Sequence, residues 1–104
     1  MVKWSGHALS QLRHIHNYIA LDSPLYAKRV SDALVRTTLN LDELPRIGRI
    51  VPELNDETVR ELPLYSYRLL YEIKPEHIEV LAVIHKRKDL HPEEITKTLD
   101  STPP

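Results

Sequence analysis

The stretch YSYRLLYEIKPEHIEVLAVIHKRKDL, residues 65–90, decides the fold of this chain. It predicts two β-strands, because runs of apolar, aromatic and β-branched residues lie on either side of a short Lys-Pro-Glu turn at 74–76. So short a turn pairs the two strands antiparallel. The first strand carries Arg68 among tyrosines and leucines, and the second ends in His-Lys-Arg-Lys at 85–88. What these cationic side chains face depends on the rest of the chain.

An N-terminal strand and a first helix are predicted ahead of this pair of strands. MVKW at 1–4 alternates in hydrophobicity and is followed by Ser5, a favourable helix N-cap. A stripe of apolar residues at steps of four, three and four then predicts an amphipathic helix over 6–21. The residues of the stripe are Ala8, Leu12, Ile15 and Ile19.

A second helix is predicted to follow at once. Ser23 and Pro24 combine a good N-cap with a proline at the first helical position. An apolar stripe continues from there for about five turns, until Pro45. Two helices joined by so short a link pack antiparallel. A loop over 45–54 and a further strand, TVRELPL at 58–64, lead to the two strands quoted above.

These elements predict an α+β fold. An N-terminal strand is followed by an antiparallel helical hairpin, which packs on one face of a small antiparallel β-sheet. We expect a single domain over 1–90 and a C-terminal tail over 91–104 that forms a short helix or is disordered.

Composition restricts the functional classes. With 14 Lys and Arg against 15 Asp and Glu, the formal net charge is −1, so nucleic-acid binding would depend on a local basic patch. The chain has no cysteine, which excludes disulfides and thiolate chemistry and fits a reducing compartment. No stretch approaches the ~20 apolar residues of a membrane span or the apolar run of a signal peptide. We therefore expect a cytoplasmic protein without cofactor, metal or membrane contact.

A cationic cluster is predicted on the sheet face that the helices leave open. A regular turn places Arg68 opposite Val83, with His85 and Arg87 following on the same face. Glu53 on the preceding loop can reach this face. Arginines bind phosphate through paired hydrogen bonds, and a histidine with a pKa of ~6.5 can move protons. With Glu53 as the base, these residues would form a metal-free ribonuclease site.

The same residues also have a purely structural interpretation. An arginine on an open sheet face is often solvated or paired with a glutamate, such as Glu72 or Glu79. The basic residues at 86–88 are equally typical of a soluble strand end. The pattern alone leaves both interpretations open.

Four segments of the chain also carry a family resemblance. They are W...A followed by L..I..YIA.DSP..A within 4–27, LPRIGRIVPEL at 44–54, RELP...YRLLYEI at 60–73 and IEVLAVIHKRKDL at 78–90. Together they resemble the RelE/ParE superfamily of toxins from type II toxin–antitoxin systems, and ParE most closely. The resemblance covers nearly the whole chain and implies the fold derived above.

Members of this superfamily differ in target. The chain resembles RelE-like members, which cut mRNA in the ribosomal A site, at Arg68 and Arg87. However, Val59 and Glu61 occupy the positions of two lysines of those enzymes, and a carboxylate there has the wrong sign for binding phosphate. YoeB-like members use a glutamate, an arginine and a histidine, and the residues at those positions are Glu53, Arg68 and His85.

ParE-like members poison DNA gyrase and have no catalytic residues of their own. The chain resembles them in YIA.DSP..A and GRIVPEL, and its near-neutral charge suits a protein partner. The resemblance therefore implies a gyrase-directed toxin. A ribosome-dependent mRNA endonuclease is the alternative, and a toxin that has lost its activity is a third possibility.

Each of these alternatives implies a cognate antitoxin and a hetero-oligomer with it. Such antitoxins lay a C-terminal segment across the toxin, where it buries apolar surface and neutralises basic residues. The groove between the helical hairpin and the sheet is the expected docking site, with Arg68 and the 86–88 cluster at its rim. The residues expected to bind the antitoxin or the target are Arg49, Arg60, Arg68, Lys86, Arg87 and Lys88.

Overall fold

The computed structural model describes residues 1–87, which form two helices and one five-stranded sheet. The elements are β1 (Val2–Trp4), α1 (Gly6–Ala20), α2 (Pro24–Thr38), β2 (Arg49–Ile50), β3 (Val59–Leu64), β4 (Tyr67–Ile73) and β5 (Ile78–His85). The strand order is β1-β5-β4-β3-β2. The α+β class, the helical hairpin and the three-stranded meander are confirmed. The predicted tail over 91–104 and Lys88 lie outside the described residues.

Both helices begin at the residues that the sequence predicts. The Ser5 hydroxyl accepts a hydrogen bond from the Ala8 N–H at 3.0 Å, and the Ser23 hydroxyl accepts one from the Tyr26 N–H at 3.1 Å. Each cap satisfies an N–H that has no partner inside its helix. Over residues 1–87, neither helix has the length and hydrophobicity needed to cross a membrane.

Helix α2 ends at Thr38, well before the predicted end near Pro45. Turns replace the helix over 39–43. Leu41 nevertheless buries its side chain in the core from one of these turns, whereas Leu44 is exposed. The apolar spacing predicted too long a helix, because a leucine in a turn can also be buried in the core.

The main core lies between the helical hairpin and one face of the sheet, here called the inner face. Strand β4 points Tyr67, Leu69, Tyr71 and Ile73 toward it, because side chains alternate along a strand. The buried residues of this core are Ala8, Ile15, Val30, Leu34, Leu41, Leu69, Tyr71, Ile78, Val80 and Val83.

The opposite face of the sheet, here called the outer face, carries a second core and is not open as predicted. The segment 51–54 lies over it, with Val51 fully buried and Leu54 packed against the cluster. Leu70, which lies on the same face of β4 as Arg68, is fully buried. The buried residues of the second core are Val51, Val59, Leu70, Leu81, Ala82 and Ile84.

A β-bulge in β5 changes the predicted register of the last two strands. Beside the turn, Tyr71 pairs with Val80, as a regular turn predicts. Leu81 is then an extra residue on β5, and beyond it Arg68 pairs with Ile84, one residue later than predicted. Because side chains alternate along a strand, a shift of one residue moves every later side chain to the other face.

Strand β1 runs parallel to β5, so the sheet is mixed and not wholly antiparallel as predicted. The long connection through the helical hairpin makes this parallel pairing possible. Beyond the short β1, the start of α1 binds the edge of β5 directly. The Ser5 hydroxyl donates to the Leu81 carbonyl at 3.2 Å, and Oε1 of Gln11 accepts from the Val83 N–H at 2.7 Å.

The Tyr71 hydroxyl holds the segment that leads from α2 into β2. It donates to the Pro45 carbonyl at 2.7 Å and accepts from the Gly48 N–H at 2.9 Å. A phenol with the ordinary pKa of ~10 is protonated at neutral pH, and burial raises the pKa of Tyr71 further, so its hydroxyl is a donor. Nη1 of Arg60 donates to the Gly48 carbonyl at 3.0 Å. This segment therefore enters the sheet in a fixed position.

Replacement of Gly48 tests this packing. A Cβ atom there would lie 2.7 Å from both the Glu61 carbonyl oxygen and the Tyr71 hydroxyl oxygen. We expect Gly48→Ala to lower the free energy of unfolding by about 1–3 kcal/mol, measured by urea denaturation. Gly6→Ala is the matched control, because nothing lies within 4 Å of its Cβ position. Equal losses in the two variants would contradict the close approach at Gly48.

Candidate functional site

Arg68 is held on the outer face by two carboxylates of its own chain. Its Nη1 and Nη2 atoms donate to the two oxygens of Glu53, each at 2.8 Å. Its Nε atom donates to Oε1 of Glu61 at 2.9 Å, and Nη2 contacts the same oxygen. The Arg68 side chain is only 11% exposed. Most N–H groups of the guanidinium therefore donate to Glu53 and Glu61, and the guanidinium has no free face for a phosphate.

The strands and the loop place these three side chains together. Glu61 lies two residues before Pro63, the β3 partner of Arg68, so Glu61 and Arg68 are diagonal neighbours on one face. Glu53 lies in a tight turn that the Asn55 N–H closes by donating to the Val51 carbonyl at 2.9 Å. Asn55 adopts a positive φ of 51°, which asparagine tolerates better than most residues.

Glu61 also binds a second arginine. Nε of Arg49 donates to Oε2 of Glu61 at 2.5 Å. The Glu61 side chain is 3% exposed, whereas that of Arg49 is 69% exposed. Glu61 was not among the predicted site residues. The signal in the sequence was its negative charge, at a position where RelE-like members have a lysine. A carboxylate one strand away from Arg68 neutralises it.

Lys86 completes this group of residues, called here the Arg68 cluster. Its side chain lines the same concavity on the outer face as Arg49 and Arg68, next to Pro52 and Pro63. The Arg68 cluster consists of Arg49, Glu53, Glu61, Arg68 and Lys86.

The ion pairs of the cluster shift the pKa values of Glu53 and Arg68. The hydrogen bonds from Arg68 lower the pKa of Glu53, and those to Glu53 and Glu61 raise the pKa of Arg68. A general base works best when its pKa lies near the working pH. Because Arg68 moves the pKa of Glu53 away from that range, Glu53 is a poor base.

His85 lies on the inner face, so the predicted common face for Arg68 and His85 is wrong. It is opposite Tyr67, and the two rings meet edge to face with their centroids 5.8 Å apart. The bulge at Leu81 causes the difference, since a regular register would place His85 on the face of Arg68. The predicted ribonuclease arrangement of Glu53, Arg68 and His85 is therefore not assembled.

The other predicted basic residues have separate surroundings. Arg60 pairs with Tyr71, and its Nε and Nη1 atoms donate to the carbonyls of Glu57 and Gly48. Its guanidinium therefore holds a loop and does not join the cluster. Arg87 follows the end of β5, is exposed, and donates from its backbone N–H to Nδ1 of His85 at 3.1 Å.

A groove of about 810 Å³ lies between the helical hairpin and the end of the sheet on its inner side. This is where the antitoxin was predicted to dock. Arg68 and Lys86 do not line this groove, because both belong to the outer face. Side chains that do line it include Tyr18, Tyr26, Tyr65, Tyr67, His7, His14 and His85.

Chemically, the described residues offer binding surfaces more than a reaction centre. Within residues 1–87, no three histidine, aspartate or glutamate side chains converge as metal ligands would. In the same part of the chain, the predicted base and acid are on opposite faces of the sheet.

Comparison with solved structures identifies the class of fold. The chain is similar to a structure of the chromosomal ParDE toxin–antitoxin system from P. aeruginosa, with a TM-score of 0.68 and 23% identity over 81% of this chain and 92% of that one. It is also similar to the toxin–antitoxin complex RelBE2 from Mycobacterium tuberculosis, with a TM-score of 0.60 and 24% identity over 82% of this chain and 95% of that one. The fold is the one found in toxin–antitoxin systems of the ParE and RelE type.

The family model described as the ParE toxin of the type II toxin–antitoxin system parDE matches residues 2–90. The chain belongs to this ParE toxin family. A comparison with curated proteins finds no match.

A pair of substitutions measures what holds Arg68. Glu61→Gln leaves the largely buried Arg68 with one carboxylate, and we expect a loss of about 3 kcal/mol in the free energy of unfolding. Glu53→Gln removes a carboxylate that is 30% exposed, and we expect a loss of about 1 kcal/mol. Urea denaturation at pH 7 measures both, and a larger loss for Glu53→Gln would contradict the proposed ranking.

At the other end of the outer face, two glutamates are cross-strand partners. Glu72 on β4 pairs with Glu79 on β5, and Oε1 of Glu72 is buried without a hydrogen-bond partner among the described residues. Nζ of Lys74 is 3.8 Å from this oxygen. Burial, which is the main cause, raises the pKa of Glu72.

This environment predicts a pH-dependent gain for Glu72→Gln. A carboxyl group whose pKa rises on folding destabilises the fold increasingly as the pH rises above the unfolded-state pKa of ~4.3. We expect Glu72→Gln to unfold at a higher urea concentration than the wild type at pH 7, and the difference to vanish below about pH 4. The exposed Glu57→Gln is the control. A constant difference at all pH values would contradict this origin.

Proposed function

We propose that this toxin arrests growth by poisoning DNA gyrase and that a cognate antitoxin neutralises it. Membership of the ParE family supports a toxin. The observation that favours gyrase over mRNA as the target is that Arg68 donates its hydrogen bonds to Glu53 and Glu61. In addition, His85 lies on the other face of the sheet. The predicted ribosome-dependent endonuclease is the alternative that the experiment must exclude.

Cleavage of RNA requires an acid, a base and a phosphate-binding cation close to one phosphodiester. Proton transfer requires groups within about 2.6–3.2 Å of the reacting atoms, directly or through one water. In this chain Arg68 binds its own carboxylates, and the pKa of Glu53 is lowered. A sheet separates both from His85. A toxin that acts by binding needs none of these groups together.

The antitoxin is proposed to dock in the groove beside the helical hairpin. Leu21 in the turn between α1 and α2 and Leu25 at the start of α2 are exposed. Tyr18, Tyr26 and Tyr65 are exposed along the groove. An amphipathic helix buries such side chains when it binds a groove. The two similar structures come from toxin–antitoxin systems, which supports an antitoxin partner and a hetero-oligomer.

Purified chain tests the proposed target directly. We expect it to inhibit supercoiling by DNA gyrase in vitro and to leave mRNA on translating ribosomes intact. The cognate antitoxin should restore supercoiling when it is added first. His85→Gln should inhibit gyrase as well as the wild type does, because no proton transfer from His85 is involved.

The alternative gives the opposite pattern. A ribonuclease that used His85 as its acid would lose roughly 10²–10⁴ in rate on His85→Gln. Cleaved mRNA together with normal supercoiling would overturn the proposed function, and the loss of cleavage in His85→Gln would support the endonuclease.

A further inference from the structure

The two carboxylates that hold Arg68 differ in how firmly they are fixed. Glu61 lies on β3, is nearly inaccessible, and is bound to Arg49 as well as to Arg68. Glu53 lies in a turn, is partly exposed, and has Arg68 as its only cationic partner among the described residues. Of the two, Glu53 is therefore the one that an external carboxylate can reach.

The backbone beside Glu53 need not move for this to happen. Val51 is fully buried in the second core, and Leu54 packs against the same cluster. Both anchor the turn independently of the ion pair. A rotation of the Glu53 side chain alone would therefore uncover the Nη1 and Nη2 atoms of Arg68, which form a planar fork suited to a carboxylate.

The surroundings favour a negatively charged ligand. Within this concavity Arg49, Arg68 and Lys86 face Glu53 and Glu61, which gives three positive and two negative side chains. Arg49 is largely exposed, and Nε is the only atom of its guanidinium for which the described structure gives a partner. Departure of Glu53 would leave an excess of two positive charges in a chain with a formal net charge of −1.

We propose that the Arg68 cluster binds an acidic side chain of a protein partner, whose carboxylate replaces that of Glu53 on Arg68. Glu53 then acts as an internal placeholder, which keeps the buried guanidinium neutralised in the free toxin. The proposal rests on the proposed function in that the antitoxin is the partner expected to supply this residue. It adds a second contact surface, on the sheet face opposite the groove.

An acidic peptide fits this site better than an RNA strand does. The bidentate contact of Arg68 with Glu53 already has the geometry of an arginine–carboxylate pair. RNA carries a charge on every nucleotide and binds best along a series of cations. Here Glu61 lies among the three cations, so the cluster offers one anionic position and no continuous basic track.

The exchange can be tested on the purified chain with a defined probe. The probe is an acetylated and amidated ten-residue peptide of alternating glutamate and alanine, and NMR titration follows the Arg68 Nε–Hε resonance. We expect Glu53→Ala to bind the peptide at least ten-fold more tightly than the wild type, because its Arg68 fork is vacant. Glu57→Ala is the matched control, since Glu57 is exposed on the same connection and should leave the affinity unchanged.

Further variants test whether the neighbouring cations contribute to peptide binding and provide a substitute if Glu53→Ala is unstable. In the Glu53→Ala background, Arg49→Ala and Lys86→Ala should each weaken peptide binding by several fold. If Glu53→Ala does not fold, Glu53→Gln takes its place and should show the same direction of change.

Equal affinities for wild type and Glu53→Ala, or an Arg68 resonance that does not move, would overturn the proposal. Tighter binding of a single-stranded RNA oligonucleotide than of the peptide would also overturn it, in favour of a phosphate site. None of these measurements involves gyrase. Peptide exchange without inhibition of gyrase would overturn only the proposed function. Inhibition of gyrase without peptide exchange would overturn only the proposed exchange.

Discussion

The bulge at Leu81 is the constraint on which the arrangement of both surfaces depends. It allows Leu81 and Ala82 to enter the second core while Val80 and Val83 remain in the main core. A regular strand could not place the consecutive residues Leu81 and Ala82 on the same face, because its side chains alternate strictly. The same extra residue places His85 on the inner face. The groove and the Arg68 cluster are therefore separate sites.

Local signals in the sequence were sufficient for most of the fold. Ser5 and the Ser23-Pro24 pair mark both helix starts, and the alternation in β4 identifies its core face. The bulge could not be predicted, because residues 80–84 are all apolar. Such a run has no alternation of polar and apolar residues that would show a shift in register. The second core was missed for a related reason. Its covering segment, 51–54, contains Pro52 and a tight turn, which are typical of an exposed loop.

The sequence indicated several residues of the candidate site but not their arrangement. Arg68, Arg49 and Lys86 do lie together, and Glu53 does reach Arg68. What the sequence could not show was that Glu61 completes the neutralisation of Arg68 from the next strand. Such a pairing depends on strand register, which single-residue patterns do not contain. A basic residue in a strand is thus a weak indication of a nucleic-acid site until its neighbours across the sheet are known.

The Ser5 hydroxyl, which caps α1 and also binds the bulge carbonyl of Leu81, couples two distant parts of the chain. Only this residue separates β1 from α1. An insertion or deletion here would rotate the helix by about 100° relative to the strand edge that it touches. The tyrosine-lined wall of the groove would turn with it.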